Sequence, residues 1–388
     1  MLSVQFLRHV PVVLMLLAIL AGCAAPPLGD SEAAITLEDI AAADQPSRLK
    51  VQTPSPSRRS YDYVIDGHRY TADVYRSPQG VRAAIVLVPG VFPAGKDDTR
   101  LVALAKTLAR LQFAVLVPDL KGLRRYQVRA NDVREIADAF RYLLSRPELV
   151  PEGRAGIAGF SYGGGLVLLA ALEPEIREQV RFIVSLGGYY SLRNIVTYFT
   201  TGYYRETADA DWQYRSPHPY PKLVFTLSNA DLLKRARDRE TLRRLAHSIA
   251  HADKGIDVEM QGFAADARAL YALLDNEEPA RVPALIEQLS PRIRDELEGI
   301  NPAAHDLSPL RAQVILMHGR GDTFIPYTES LALARALPPE QVRLFIIEGY
   351  AHTSVRPQRE DIPQFLDMVQ ALLEQRTAGK RRDTSEGR

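Results

Sequence analysis

The sequence predicts an α/β protein with a mostly parallel central sheet and helices on both of its faces, and three observations carry that reading. Short uncharged apolar runs recur with amphipathic helical stretches between them, as strands alternate with crossover helices in a parallel sheet. One such run ends in Gly159-Phe160-Ser161-Tyr162-Gly163, a serine at a sharp turn leading into a small, apolar, helix-competent run. The rhythm then stops after Gly187-Gly188 for roughly 120 residues and resumes, which marks an insertion, because connections in α/β units usually span two to six residues.

The elements follow in order. Runs 61–65 and 70–75 flank Asp66-Gly67, a pair that favours a tight antiparallel hairpin, so the sheet is expected to begin there. Apolar runs 83–88 and 113–117 enclose a helical stretch, 99–111, with Leu101, Leu104, Ala105 and Leu108 on one face. That spacing is a βαβ unit. An amphipathic helix over 132–145, the strand 155–159, a helix over 166–172 that is apolar on every face, and a strand over 181–186 continue the pattern. The insertion suits helices. Asn229-Ala230-Asp231 is expected to cap a run reaching Leu245, with further helices at 264–274 and 280–289. Strands return at 313–317 and 342–347, and an amphipathic helix over 364–374 closes the fold. No internal repeat is apparent.

At 388 residues and 46% hydrophobic content the chain can bury a large core, and its charge is nearly balanced at +1. Balanced charge gives no electrostatic reason to expect nucleic acid, so a small or apolar molecule is the expected partner. Arg8 precedes an apolar run from Val10 to Leu20, too short to span a bilayer, and Ala21-Gly22-Cys23 follows. Leu20-Ala21-Gly22-Cys23 resembles the lipobox of bacterial lipoproteins, in which the cysteine becomes the lipidated first residue; Cys23 is the only cysteine. The resemblance implies a chain tethered to the bacterial envelope, not spanning the membrane, because several acyl chains anchor durably where one does not. With Ala24 in place of the aspartate associated with inner-membrane retention, it favours the periplasmic face of the outer membrane. A single cysteine excludes an intramolecular disulfide.

The expected organisation is a leader over 1–22, a membrane-tether linker over 23–60, a first core segment over 61–188, a helical, aromatic-rich lid over 189–308, a second core segment over 309–376 and a disordered tail over 377–388. The linker reading rests on Pro26, Pro27, Pro46, Pro54 and Pro56 among Ala, Ser, Asp and Gln, with only a short helix-capable run near 36–43.

A serine hydroxyl is a poor nucleophile at neutral pH and needs a base, usually histidine, whose tautomer a carboxylate fixes. His318-Gly319-Arg320-Gly321-Asp322 supplies an aspartate in the loop after a buried strand, and Gly349-Tyr350-Ala351-His352 supplies a histidine after the final strand. Open parallel sheets place their ligands at such strand ends. The chain order Ser161, Asp322, His352 differs from that of chymotrypsin and subtilisin and is that of the α/β-hydrolases. These motifs, with Gly164 and Ile325-Pro326, make the stretch 61–373 resemble an α/β-hydrolase of the broad dienelactone-hydrolase and prolyl-oligopeptidase-like group. The resemblance implies an α/β-hydrolase fold with a lid inserted before the acid-bearing strand.

The expected oxyanion donors are the backbone amides of Tyr162, after the nucleophile, and Val91, in Val88-Pro89-Gly90-Val91-Phe92-Pro93, where proline replaces the His-Gly often found. Neither a metal nor an organic cofactor is expected. Serine in place of cysteine argues against a true dienelactone hydrolase, and in place of aspartate against haloalkane dehalogenases and epoxide hydrolases. An oligopeptidase with a gating propeller is not expected, because the segment ahead of residue 61 is short.

Function is thus expected to be carboxylic-ester hydrolysis, with acyl transfer or amide and peptide cleavage by the same triad as alternatives, and a non-catalytic envelope lipoprotein as an alternative of another class. Tyr189, Tyr190 and Phe92 are candidate substrate contacts. The wider cluster of Tyr198, Phe199, Tyr203, Tyr204, Trp212, Tyr214 and Tyr220 suits either a substrate pocket or packing of the lid onto the sheet. Asp119 reads as a structural turn, Asp231 as a helix cap, His318 as a loop hydrogen-bonder, and His247 with His251 as a solvated face. Arg193 and Arg205 are exposed cations or contacts for an anionic group.

Overall fold

A computed structural model describes residues 29–250, 262–352, 354–355 and 359–377. The leader, Cys23, His251 and the tail beyond Thr377 lie outside the described residues.

The chain forms α1 (Glu32–Ala42) and α2 (Arg48–Gln52), then the hairpin β1 (Ser57–Ile65) and β2 (His68–Arg76). Ile65 pairs with His68 across Asp66 (φ 48°) and Gly67 (φ 81°), the two positive-φ residues that a two-residue hairpin turn requires. Alternation follows as β3 (Ala83–Val88), α3 (Thr99–Arg110), β4 (Phe113–Pro118), α4 (Lys121–Arg124), α5 (Ala130–Leu144), β5 (Ala155–Phe160), α6 (Tyr162–Ala170) and β6 (Phe182–Leu186). The insertion holds α7 (Leu192–Thr201), a short ladder of β7 (Tyr203–Tyr204) with β8 (Gln213–Tyr214), then α8 (Pro219–Ala230), α9 (Ala236–Ala250), α10 (Ala265–Leu274), α11 (Val282–Glu287) and α12 (Pro291–Gly299). The core resumes with β9 (Gln313–Gly319), α13 (Thr328–Arg335), β10 (Val342–Ile347), the small pair β11 (Tyr350–Ala351) and β12 (Ser354–Val355), and α14 (Ile362–Glu374).

Eight strands make one sheet in the order β1-β2-β4-β3-β5-β6-β9-β10, parallel from β4 to β10, with the β1–β2 hairpin antiparallel at one edge. Strands β3, β4 and β5 are buried at every position, as uncharged runs covered on both faces must be. Helices α1, α3 and α14 pack together on one face, while α5 and α6 pack against each other and the sheet. The fold is the doubly covered, mostly parallel sheet that the sequence predicts.

Two expectations are corrected. Much of the segment expected to be a linker is part of the domain: Ala33, Ala34, Leu37, Ala41 and Leu49 are buried. The fully buried Asp39 carboxylate accepts hydrogen bonds from Ser47 Oγ, Lys50 Nζ (2.6 Å) and Thr107 Oγ1 on α3 (2.6 Å). Arg376, just past α14, pairs with Glu32 (2.6 Å) and donates to the Leu111 carbonyl (3.0 Å). The apolar face of α1 is largely alanine, which resembles linker composition yet has the highest helix propensity, and the prolines flank the helices without entering them. Asp231 does not open a helix. Asn229 and Ala230 end α8, Asp231 follows as its C-cap, and the Asp231 carboxylate takes hydrogen bonds from Gln127 and Arg243.

If the Asp39 network binds α1 and α2 to α3, Asp39→Ala lowers the unfolding free energy by about 2 kcal/mol in urea titration, the scale of hydrogen bonds to a charged group. An unchanged midpoint would return this segment to the status of a loose linker.

Candidate active site

The site is built at the carboxyl ends of β5, β9 and β10. Strand β5 ends at Phe160, Ser161 takes φ 55° and ψ −125°, and α6 begins at Tyr162. A turn this sharp brings backbone against backbone. A Cβ on Gly159 would lie 2.3 Å from the Gly163 carbonyl oxygen, so no larger residue fits there. The Ser161 amide donates to the Leu186 carbonyl (2.9 Å), which ties the turn to β6.

Ser161 Oγ lies 3.0 Å from His352 Nε2, and His352 Nδ1 lies 2.7 Å from Asp322 Oδ2. The other Asp322 oxygen accepts the amides of Phe324 (2.7 Å) and Ile325 (3.0 Å). A carboxylate at Nδ1 assigns the imidazole proton to that nitrogen and leaves the Nε2 lone pair facing the serine hydroxyl. Burial opposes ionisation of Asp322, but the adjacent His352 and the hydrogen bonds from His318 and His352 outweigh it and hold the carboxyl well below the usual range. Asp322 is fully buried, His352 is 3% exposed and Ser161 8%, so only the serine end of the relay opens toward a substrate.

Of the other sequence-predicted residues, Tyr162 supplies the first amide of α6, where helix geometry leaves the N–H without an intrahelical acceptor. Val91 is buried, and its carbonyl accepts a hydrogen bond from the Tyr220 hydroxyl. Phe92 is half-buried in the loop after β3. Tyr189 is corrected. It is buried, its hydroxyl donates to the Ile300 carbonyl (2.5 Å), and its ring meets the edge of Tyr162 and covers Gly165, so it packs the insertion onto α6. Tyr190 is half-buried; its amide donates to Glu329 (3.0 Å) and its carbonyl accepts from Ala303 (3.0 Å).

Asp119 pairs with Arg124 (2.9 Å) within its turn, apart from the triad. His318 Nδ1 meets Ser330 Oγ (2.7 Å) and its Nε2 meets the Ile325 carbonyl (2.9 Å), bracing the acid loop. Arg205 lies over the Trp212 ring at 4.3 Å, and Arg193 lines a cavity of about 430 Å³ with Arg294 and Asn301. Tyr198, Tyr204 and Tyr327 form a small packed cluster of their own, and Phe199 packs on Phe225. Among the described residues no group of three or more His, Cys, Asp or Glu is placed to hold a metal ion, and no helix is long and apolar enough to cross a membrane.

Three residues near the site escaped the sequence reading. His218 at the start of α8 stacks on Phe324 (4.0 Å, 13°), and Phe324 stacks in turn on His352 (4.5 Å, 12°). The His218 amide also donates to the Thr323 carbonyl (2.8 Å). Burial, with the nearby His352, pushes His218 down to about 4, against a smaller opposing pull from Asp322. With Tyr220 on Val91, the start of α8 touches both Phe324, which stacks on the base, and the expected oxyanion loop. Glu329 is buried beneath the start of the insertion and accepts the amides of Tyr190 and Ser191 and the Asn194 side chain. Burial raises its pKa against those bonds. Phe324 had one signal, its place two residues after Asp322; His218 and Glu329 had none, since both act across long sequence separations.

A family model described as alpha/beta hydrolase fold matches residues 83–355, more than two thirds of the chain. Among solved structures the chain resembles the Pyrococcus horikoshii acylaminoacyl peptidase, at 12% identity and a TM-score of 0.48, over 84% of this chain and 42% of that one. It also resembles a Mycobacterium tuberculosis puromycin-hydrolyzing peptidase, at 17% identity and a TM-score of 0.49, over 86% and 40%. A 2,6-dihydroxy-pseudo-oxynicotine hydrolase is similar at 15% identity and a TM-score of 0.45, over 85% and 70%. The chain thus spans about two fifths of the length of the first two. No curated protein matches the sequence.

Two outcomes test this geometry. Gly187 has φ +59°, and a Cβ there would stand 3.3 Å from His352 Nδ1. Gly187→Ala therefore costs about 1 kcal/mol of stability, and by displacing the imidazole it lowers kcat for a test ester about tenfold; wild-type kcat would mean the ring is held elsewhere. His218 is protonated in an unfolded chain below about pH 6.5 but in the fold only near pH 4. Its folded pKa is depressed, so its contribution to stability is present above pH 6.5 and is lost as pH falls toward 4. Thermal unfolding from pH 7 to pH 4 is expected to be less pH-dependent in His218→Gln than in the wild type.

Proposed function

Because the chain belongs to the alpha/beta hydrolase fold family, we propose that it is a serine hydrolase cleaving carboxylic esters through an acyl-Ser161 intermediate. We further propose that Cys23 carries a lipid anchor that holds it in a bacterial envelope, at the periplasmic face of the outer membrane. The observation that carries the enzymatic reading is the continuous relay from Ser161 Oγ through His352 to a doubly fixed Asp322, with links of 3.0 and 2.7 Å. The lipobox-like Leu20-Ala21-Gly22-Cys23 carries the anchor.

In this mechanism His352 Nε2 takes the hydroxyl proton as Ser161 Oγ attacks the ester carbonyl carbon. The carbonyl oxygen becomes an oxyanion held by the amides of Tyr162 and Val91. Asp322, already ionised, stabilises the imidazolium without taking its proton. Collapse expels the alcohol, which receives the proton from His352. Water then enters, loses a proton to the same nitrogen as its oxygen bonds to the acyl carbon, and the acid leaves as the bond to Ser161 Oγ breaks and Oγ takes the proton back from His352. No step calls on a metal or a cofactor. The enclosure of Ser161, 8% exposed, favours a second reading in which an alcohol or amine acceptor displaces water and the reaction is acyl transfer. The same triad serves amide bonds.

Ser161→Ala is expected to lower turnover of short-chain p-nitrophenyl esters by about 10⁴-fold or more, and Asp322→Asn by about 10³–10⁴-fold through loss of the correct tautomer, both without unfolding. Retained activity in Ser161→Ala contradicts the assignment. Ester exchange outrunning hydrolysis in the presence of an alcohol selects the acyltransferase reading.

A further inference from the structure

We propose that the strand-start edge of the domain rests on the anionic headgroup surface of the bilayer that carries the Cys23 anchor. The Ser161 site then faces the aqueous side, and its substrate is an ester delivered from solution rather than a lipid of that leaflet. The inference rests on the anchored-hydrolase reading above.

The first support is where the described chain begins. Glu32 is held by Arg376 at the far end of α14, and Arg376 also binds the carbonyl of Leu111, two residues before β4. The start of α1 therefore sits at the amino ends of the parallel strands, while Ser161, Asp322 and His352 follow the carboxyl ends of β5, β9 and β10. Along β5 alone the two ends are about 20 Å apart, at 3.3 Å per residue.

The second support is chain length. Five residues lie between Cys23 and Gly29, so six Cα–Cα steps give a reach of about 20 Å when fully extended. No slack is gained beyond that point, because Asp39 fastens α1 and α2 to α3. An anchor at Cys23 thus keeps this end of the domain, and not the end with the triad, nearest the membrane.

The third support is charge. Arg82, Arg154 and Arg181 immediately precede β3, β5 and β6, and Arg311 stands two residues before β9. These four strands are neighbours in the sheet. The backbone links Ala84 to Arg154, Arg181 to Ala155 and Gln313 to Arg181, each 2.8–3.0 Å, align the arginines along one edge. Glu152 neutralises Arg154, and Glu178 lies 3.6 Å from the neighbouring Arg177. Arg82, Arg181 and Arg311 are exposed, and among the described residues none of them has a carboxylate within ion-pair distance. Exposed acids share this edge: Glu340 before β10, and Asp30 and Glu32 at the start of α1, which pair with Arg48 and Arg376. At about 4.8 Å per strand the row from β3 to β9 spans about 14 Å, enough to engage several phosphate headgroups at once.

The test uses the full chain, purified from membranes in detergent and reconstituted into vesicles of phosphatidylethanolamine and phosphatidylglycerol. Ser161 is labelled with a fluorophosphonate carrying a short-linked dye, and arginines are mapped with phenylglyoxal by mass spectrometry. The expected result is a dye quenched by aqueous iodide but not by headgroup-nitroxide lipid. Arg82, Arg181 and Arg311 are expected to react about fivefold more slowly than in detergent, with Arg205 of the lid unchanged. Strong nitroxide quenching, or equal arginine reactivity in vesicles and detergent, overturns the proposal. Protection that persists in detergent overturns it as well, by making a second copy of this chain the occupant. Failure of the underlying reading looks different: no dye is incorporated, or the chain's amino-terminal peptide bears no acyl group, and either result removes the proposal with its premise.

Discussion

The backbone of Ser161 turns through φ 55° and ψ −125°, a conformation that costs a residue with a side chain about 1–3 kcal/mol, and much of the site exists to hold it. The bond from its amide to Leu186 fixes the turn to β6, and the bare α-carbon of Gly159 lets α6 start within contact of β5. Uncharged β3 and β5, buried at every position, and β6, buried at all but its last residue, make the platform rigid enough to carry the strain. Relaxation of this turn would swing the hydroxyl away from His352, and the relay would lose its first link.

The acid and the base are placed with comparable redundancy. Asp322 spends one oxygen on two backbone amides and the other on His352, so neither its position nor its ionised state depends on a single contact. His352 follows the last strand of the sheet, and its ring is set between the carboxylate at one nitrogen, the serine at the other and the face of Phe324. Because His218 stacks on the opposite face of Phe324 and Tyr220 grips Val91, the insertion is part of the site's scaffold. Glu329, buried under the start of α7, fastens the near end of the insertion to the core.

The core was legible in the sequence because its strands are buried on both faces and therefore read as short uncharged runs, and because the triad residues sit at strand ends where local motifs mark them. The β1–β2 hairpin was legible through Asp66-Gly67, whose turn geometry few other residue pairs adopt. In the insertion the helices over 264–274 and 280–289 were legible, but their placement was not, since it is set by long-range contacts such as Tyr189 to Ile300 and Gln127 to Asp231, which leave no local periodic trace. Tyr189 looked like a pocket residue for the same reason it packs well: a large ring with one polar tip serves either role, and only the position of its partner decides. The segment 32–52 was misread because alanine-rich helices and flexible tethers share a composition; the single buried carboxylate of Asp39 distinguishes them, and its partner Thr107 lies far away in sequence.

The central claim is that Ser161 is the nucleophile activated by His352 and Asp322. Mass spectrometry of the full chain after reaction with a fluorophosphonate measures it most directly. A single adduct on the peptide containing Ser161, formed in the wild type and strongly slowed in His352→Ala, is the predicted result. An adduct on another residue, or labelling of Ser161 at the same rate without His352, would contradict the account.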